Sequence, residues 1–152
     1  MARGELLEAR LTESVIGAFF DVYNALGFGF LEHLYVVALE RELVARGHRI
    51  GREVAVPIYY KGEHIGTQRV DMIVDETLIV ETKSTFDLHR AADRQVYNYL
   101  RATNLQVGLL LHFGPTPKFH RLFFSHRKQN KKENPRHPLN PRHPDEPSVL
   151  DA

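Results

Sequence analysis

The sequence predicts a single α/β domain, a central sheet flanked by helices, and three observations carry that reading. Apolar residues recur at helical spacing in two stretches before Gly47 and in a third after Ser84. Between them, residues 52–83 divide into β-rich runs separated by turn signals. Leu105 to Phe113 is a nearly continuous apolar run of strand length, the mark of a central strand covered on both faces. At 152 residues, 43% of them hydrophobic and 26% charged, the chain suits one soluble domain with a real core.

The first helix is expected from about Thr12 to Leu26, on the spacing of Val15, Ile16, Phe19, Phe20, Tyr23 and Leu26. Thr12 is its candidate N-cap and Gly27 its stop, with Leu6, Leu7 and Leu11 either extending it upstream or packing as a separate turn. A second helix, roughly Leu31 to Arg46, follows the Gly27-Phe-Gly-Phe break, with Leu31, Leu34, Tyr35, Ala38, Leu39 and Leu43 as its apolar stripe. Glu32 falls in its first turn, where a carboxylate suits the helix dipole. Strands are expected over Arg52–Tyr60, with Pro57 marking an edge or bulge, then His64–Val74 and Leu78–Lys83. The third helix lies within Ser84–Thr103, with Asp87 as candidate N-cap and Leu88, Ala92, Gln95, Val96, Tyr99, Leu100 and Thr103 along one side. Gln95 is the odd member, because a glutamine among core-facing residues needs partners for its amide. After the central strand, Gly114 to Pro117 turns the chain into a last strand from Lys118 to Phe124. His112 reads as a structural histidine, since no second histidine stands at metal-site spacing.

The stretch Arg69–Lys83 organises the rest. Asp71, Glu81 and Lys83 sit inside runs of Val, Ile and Leu, and an unpaired charge taken out of water costs several kcal/mol. Side chains alternate along a strand, so Glu81 and Lys83 share one face. Asp71 joins them only in one register. A two-residue turn at Asp75-Glu76 sets Asp71 opposite Val80, whereas a three-residue turn through Thr77 sets it opposite Glu81. The alternative is a surface hairpin with an ion pair.

Net charge is +1, which argues neither for nor against a nucleic-acid partner. The absence of cysteine excludes disulfides, iron–sulfur clusters and thiolate zinc sites. No apolar run approaches a membrane span and the first residues show no signal-peptide core, so the default expectation is the cytoplasm. Composition divides the chain into a domain at 1–125 and a basic, Pro-rich tail at 126–152, expected to be flexible. The tail opens with the basic run 126–132 and carries the repeat Asn-Pro-Arg-His-Pro at 134–138 and 140–144.

Gly29-Phe-Leu-Glu32-His-Leu-Tyr35, followed by Asp71, Glu81-Thr82-Lys83, Gln95 and Tyr99, resembles the GxxExxY protein family of the PD-(D/E)xK nuclease superfamily. The last pair resembles the RecB-like branch. The resemblance covers roughly residues 11–124 and departs at Phe28, where proline is usual, and at Tyr23, where many relatives have histidine. It implies a restriction-endonuclease-like α/β fold with a mixed central sheet flanked by helices. It also implies a nuclease hydrolysing phosphodiester bonds, of DNA by preference. Asp71, Glu81 and the Thr82 carbonyl would hold Mg²⁺ or Mn²⁺, and Glu32 would complete the acidic cluster. Lys83 would position and help deprotonate the attacking water, and Gln95 and Tyr99 would orient Lys83, the water or the substrate strand. Oxygen donors of this kind suit hard divalent cations, which offset the charge of a phosphodiester and acidify bound water. Arg69, Lys118, Arg121 and the basic run are candidate phosphate contacts, and a homodimer would present two sites to two strands. Two other classes stay open: a nucleic-acid-binding protein without catalysis, and an interaction protein whose acidic set is an ion-pair network.

Overall fold

The computed structural model describes residues 3–126. Strands β1 (Ile50–Tyr60), β2 (Glu63–Val74), β3 (Leu78–Lys83), β4 (Val107–Phe113) and β5 (Pro117–Phe123) form one sheet in chain order. Every neighbouring pair is antiparallel except β3 and β4. A parallel pair needs a crossover, and helix α3 (Ala91–Ala102) supplies it. Helices α1 (Arg3–Leu26) and α2 (Glu32–Ala45) precede the sheet. The mixed, helix-flanked sheet expected from the sequence is therefore present.

Two apolar clusters hold these layers together. Phe19, Tyr35, Leu39 and Leu43 of the first two helices pack on Met72, Val74, Leu78, Val80, Leu109, Leu111 and Phe113. On the other face, Val96, Tyr99 and Leu100 of α3 pack on Ile73, Ile79, Leu110 and Leu122. Strand β4 is buried at every position, as its continuous apolar run predicts. Among the described residues, no helix is long and apolar enough to cross a membrane.

Several boundaries differ from the sequence expectation. Helix α1 begins near Arg3, so Thr12 is interior and not an N-cap. Its buried hydroxyl donates back to the Glu8 carbonyl at 2.6 Å, a bond that spares the residue a solvent partner inside a helix. Helix α3 begins at Ala91, and Asp87 is left in the loop before it, where its carbonyl accepts the Thr85 hydroxyl. His89 caps the first turn instead, its Nδ1 accepting the Ala91 N–H at 3.0 Å. Leu31 and Leu34, expected in the apolar stripe of α2, are exposed, and Val36 is buried in their place. His126 is structured, with its Nε2 donating to the Leu105 carbonyl at 2.8 Å. The rest of the expected tail, residues 127–152 with the basic run and the repeat, lies outside the described residues.

The β2–β3 turn decides the register. Met72 pairs with Val80, Ile73 with Ile79 and Val74 with Leu78, so the turn has three residues, Asp75 to Thr77. Asp75 and Glu76 both adopt positive φ, 52° and 58°, which costs energy in residues other than glycine. Outside bonds hold the turn there. The Asp75 carboxylate accepts the Arg49 N–H at 2.8 Å and His48 Nδ1–H at 2.8 Å. His48 Nε2 in turn meets the Ser14 hydroxyl at 2.7 Å. Helix α1, the α2–β1 loop and the turn are tied in one chain. Since the carboxylate only accepts, His48 carries a proton on Nδ1.

Candidate active site

Ile79 faces the α3 cluster while Leu78 and Val80 face α1 and α2, so alternation places Glu81 and Lys83 on the α3 side. The turn register brings Asp71 level with Glu81, one step beyond the Met72–Val80 pair. Backbone pairing stops there. The Asp71 carboxylate takes over, its Oδ2 accepting the Thr82 N–H at 2.8 Å and the Thr82 hydroxyl at 2.9 Å. On the opposite side of β2, pairing to β1 skips the same level, between Arg52–Met72 and Val54–Val70. There Glu53 adopts a φ of 50°. A break of this kind turns a strand, and from Val54 and Val70 onward the residues pack in the α3 cluster. Pro57, read from the sequence as the sign of an edge or bulge, lies on an edge strand, and the β1–β2 register shifts just after it, between Ile58 and Tyr59.

Glu81 is buried, and its two oxygens differ. Oε2 accepts from Lys83 Nζ at 3.3 Å, whereas Oε1 is enclosed without a hydrogen-bond partner. Burial pushes the carboxyl up to about 7, helped by the charges of Asp71 and Glu32 and opposed by Lys83.

Lys83 heads a chain of oriented groups. Its Nζ donates to Gln95 Oε1 at 2.9 Å, Gln95 Nε2 donates to Tyr99 Oη at 2.9 Å, and Tyr99 Oη–H donates to the Arg69 carbonyl at 3.0 Å. An ammonium has only donors, so it fixes which way the Gln95 amide points. Burial and the Glu81 charge push Tyr99 up to about 12, which keeps its proton in place. Gln95 and Tyr99 share a face because they stand four apart on α3, and the partner that the glutamine required is Lys83.

Glu32 reaches the group from the first position of α2. Gly27 and Gly29 take φ of 72° and 122° in the preceding loop. The Tyr35 hydroxyl donates to the Gly27 carbonyl and accepts the Phe30 N–H, and its ring stacks on Phe113 with centroids 4.2 Å apart. The G-x-x-E-x-x-Y spacing thus has a physical role, since the tyrosine closes the loop that launches the glutamate. Ser84 fastens the same loop to the end of β3, its hydroxyl donating to the Phe30 carbonyl at 2.7 Å. Burial raises the Glu32 carboxyl, as does the Asp71 charge, while Lys83 and the Ser84 N–H pull it down.

All six residues expected to carry chemistry, Glu32, Asp71, Glu81, Lys83, Gln95 and Tyr99, are therefore linked by hydrogen bonds or by mutual charge. Thr82 is held between them. Among the described residues, no three acidic or histidine side chains converge to enclose a cation alone. The Asp71 and Glu81 carboxyls, with Glu32 close by, present hard oxygens, and Glu81 Oε1 is a buried carboxyl oxygen without a hydrogen-bond partner among the described residues. Oxygen donors of this kind suit a hard divalent cation.

His112 lies beside Lys83 across β3 and β4, and its Nε2 donates to the Thr85 carbonyl at 2.8 Å, fixing the β3–α3 loop. Tyr23 is engaged at the β4–β5 turn, where its hydroxyl meets the Gly114 and Pro115 carbonyls. Sequence reasoning missed Ser84 and the Ser14–His48–Asp75 tie. Ser84 directly follows the E-x-K run, which was a usable signal. The tie joins residues far apart in the chain, and no local pattern announces it.

Residues 9–122 match the family model of the PD-(D/E)XK nuclease superfamily. No curated protein and no solved structure matches the chain.

Proposed function

The chain belongs to the PD-(D/E)XK nuclease superfamily, and on that premise we propose that it is a divalent-metal-dependent nuclease that hydrolyses phosphodiester bonds of DNA. The observation that carries this reading is the unpaired, buried Glu81 Oε1 beside Asp71, with Lys83 at 3.3 Å from the other Glu81 oxygen. The Gly29, Glu32 and Tyr35 spacing supports placement in the GxxExxY family, and Gln95 with Tyr99 supports the RecB-like branch.

Asp71, Glu81 and the Thr82 carbonyl would hold Mg²⁺ or Mn²⁺, with Glu32 adding negative charge close by. When bound, the cation supplies charge to the scissile phosphate and acidifies water. The chain's own residues do the rest. Thr82 fixes the Asp71 carboxylate through two bonds to one oxygen. Lys83, steered by Gln95, presents its ammonium to the attacking water and the phosphate oxygens. Tyr99, anchored on the Arg69 carbonyl, accepts from the Gln95 amide and so keeps the Gln95 oxygen turned to Lys83.

The test is incubation with linear, circular and single-stranded DNA and with RNA, with and without Mg²⁺ or Mn²⁺, beside Lys83→Ala. Metal-dependent cleavage that Lys83→Ala abolishes is the expected result. Equal cleavage by the variant would sink the mechanism. The direct Lys83–Glu81 contact favours a second reading, in which the acidic set is an ion-pair network. That reading expects no divalent metal to bind in calorimetry.

A further inference from the structure

We infer that the mouth of this site carries an aromatic platform for unpaired nucleotide bases, which makes single strands and frayed ends the preferred substrates. The inference rests on the nuclease reading above and specifies its substrate class.

Two loops make the platform. Phe28, Phe30 and Leu31 come from the α1–α2 loop, and Phe86 comes from the β3–α3 loop. Leu31 is 77% exposed, Phe86 71%, Phe30 46% and Phe28 42%. Single exposed apolar residues need no explanation, but a contiguous group does. The centre of this group is one contact across the two loops, where the Phe28 and Phe86 rings meet at 6.4 Å and 63°, edge to face, while the Phe30 ring packs edge-on against Tyr35 at 6.1 Å. It is also held in place, since the Ser84 hydroxyl bonds the Phe30 carbonyl and so joins the two loops. An edge-to-face contact uses one side of a ring and leaves Phe86 a broad free surface.

Its position selects the occupant. Leu31 immediately precedes Glu32, and Phe86 stands three residues after Lys83. A strand whose phosphate lies among the acidic group and Lys83 therefore has its neighbouring bases at these rings. Every base offers a π-face, so aromatic side chains hold unpaired strands with little regard for sequence. A duplex keeps those faces stacked inside and offers them only at ends or openings. Arg90 and Arg94, both exposed, follow Phe86 along the loop and α3, and can reach flanking phosphates. Asp87 and Asp93 lie on the same stretch and balance the two arginines, so the rings and not local charge select the occupant.

The test uses the full chain in the presence of a chelator, so that binding is read without cleavage. Anisotropy is measured with a short single strand and with its blunt duplex, and the strand carries a fluorescent adenine analogue that reports stacking. The wild type is expected to bind the single strand more tightly and to change the analogue's emission. Phe86→Ala and Phe28→Ala are expected to weaken single-strand binding about tenfold, to remove the emission change and to leave duplex binding as it was. Phe86→Trp is expected to restore both signals. Because Phe86 is so exposed, its alanine variant should melt with the wild type.

Equal losses on both substrates, no loss on either, or tighter wild-type binding to duplex would overturn the inference. So would sedimentation showing a wild-type dimer that Phe86→Ala dissociates, since the rings would then belong to a second copy. Failure of metal-dependent cleavage by the wild type reports separately on the nuclease reading.

Discussion

A single carboxylate oxygen, Asp71 Oδ2, accepts both the backbone N–H and the hydroxyl of Thr82, at 2.8 and 2.9 Å. The side chain stands in for a strand carbonyl at the level where backbone pairing ends. Asp71 thus has two duties, closing the sheet and facing the site, and substitutions separate them. Asp71→Ala leaves the Thr82 N–H unpaired and should cost about 1–3 kcal/mol in urea unfolding. Asp71→Asn keeps an acceptor and should unfold near the wild type. Both should lose metal-dependent cleavage, because neither offers an anionic ligand.

Glu81 gives a pH signature to the metal-free protein. Its carboxyl is raised from 4.5 to about 7, first by burial and then by Asp71. Between those values the folded chain holds more protons than the unfolded chain. Stability therefore falls as pH rises through that window. Glu81→Gln should flatten this decline and stabilise the metal-free protein at alkaline pH by up to about 3 kcal/mol. Thermal melts in chelator across pH 4 to 9 read it directly, and a slope unchanged in Glu81→Gln would refute the assignment.

The Lys83–Gln95–Tyr99 chain predicts graded losses of turnover. Lys83→Ala should lower kcat about 10²- to 10³-fold, the range for loss of one preorganised charged donor. Gln95→Ala and Tyr99→Phe act through Lys83 and should cost about 10- to 100-fold. Tyr99→Phe also strips the Arg69 carbonyl of its donor, so its melting temperature should fall as well. A Tyr99→Phe protein as inactive as Lys83→Ala would show that Tyr99 touches substrate itself.

Asp75 carries a second pH dependence, of opposite sign. Burial alone would raise its carboxyl, but the Arg49 N–H bond, the His48 bond and the charges of His48 and Arg49 outweigh it and lower it. Its contribution is full above the ordinary Asp range and is lost as pH falls through the depressed folded value. Asp75→Asn should remove that acid-side loss and lower stability at neutral pH by about 1–2 kcal/mol, read by chemical denaturation from neutral pH downward.

Tyr35→Phe tests the loop closure. It removes the hydroxyl shared by the Gly27 carbonyl and the Phe30 N–H while keeping the ring on Phe113. Stability should fall by about 1 kcal/mol, and cleavage should fall further than stability explains, because Glu32 is released with the loop. Single-turnover rates beside melting curves separate the two effects.

The sequence carried much of this architecture because its signals were local. Periodicity marked the helices, and the apolar run marked β4 as central. Charges inside the β2 and β3 runs marked Asp71, Glu81 and Lys83, and alternation left one register that united them. Where the reading erred, a nonlocal or ambiguous bond was responsible. Thr12 has the chemistry of an N-cap and of an interior residue alike, and only the Glu8 carbonyl decides. Asp87 looked like the start of α3, but His89 holds that turn. Leu31 and Leu34 obeyed helical spacing and still face outward, because spacing identifies a stripe without saying what covers it. The break at Glu53 has no sequence mark comparable to glycine.

The tie from Ser14 through His48 to Asp75 has one more consequence. Strand register changes only in whole residues, and a slip of one carries Asp71 from the face of Glu81 to that of Val80. No intermediate position exists. A weakened turn therefore cannot produce molecules whose site is slightly misaligned. It produces two populations, one fully assembled and one wholly without Asp71, and a variant here should lose active molecules while each survivor works at the full rate.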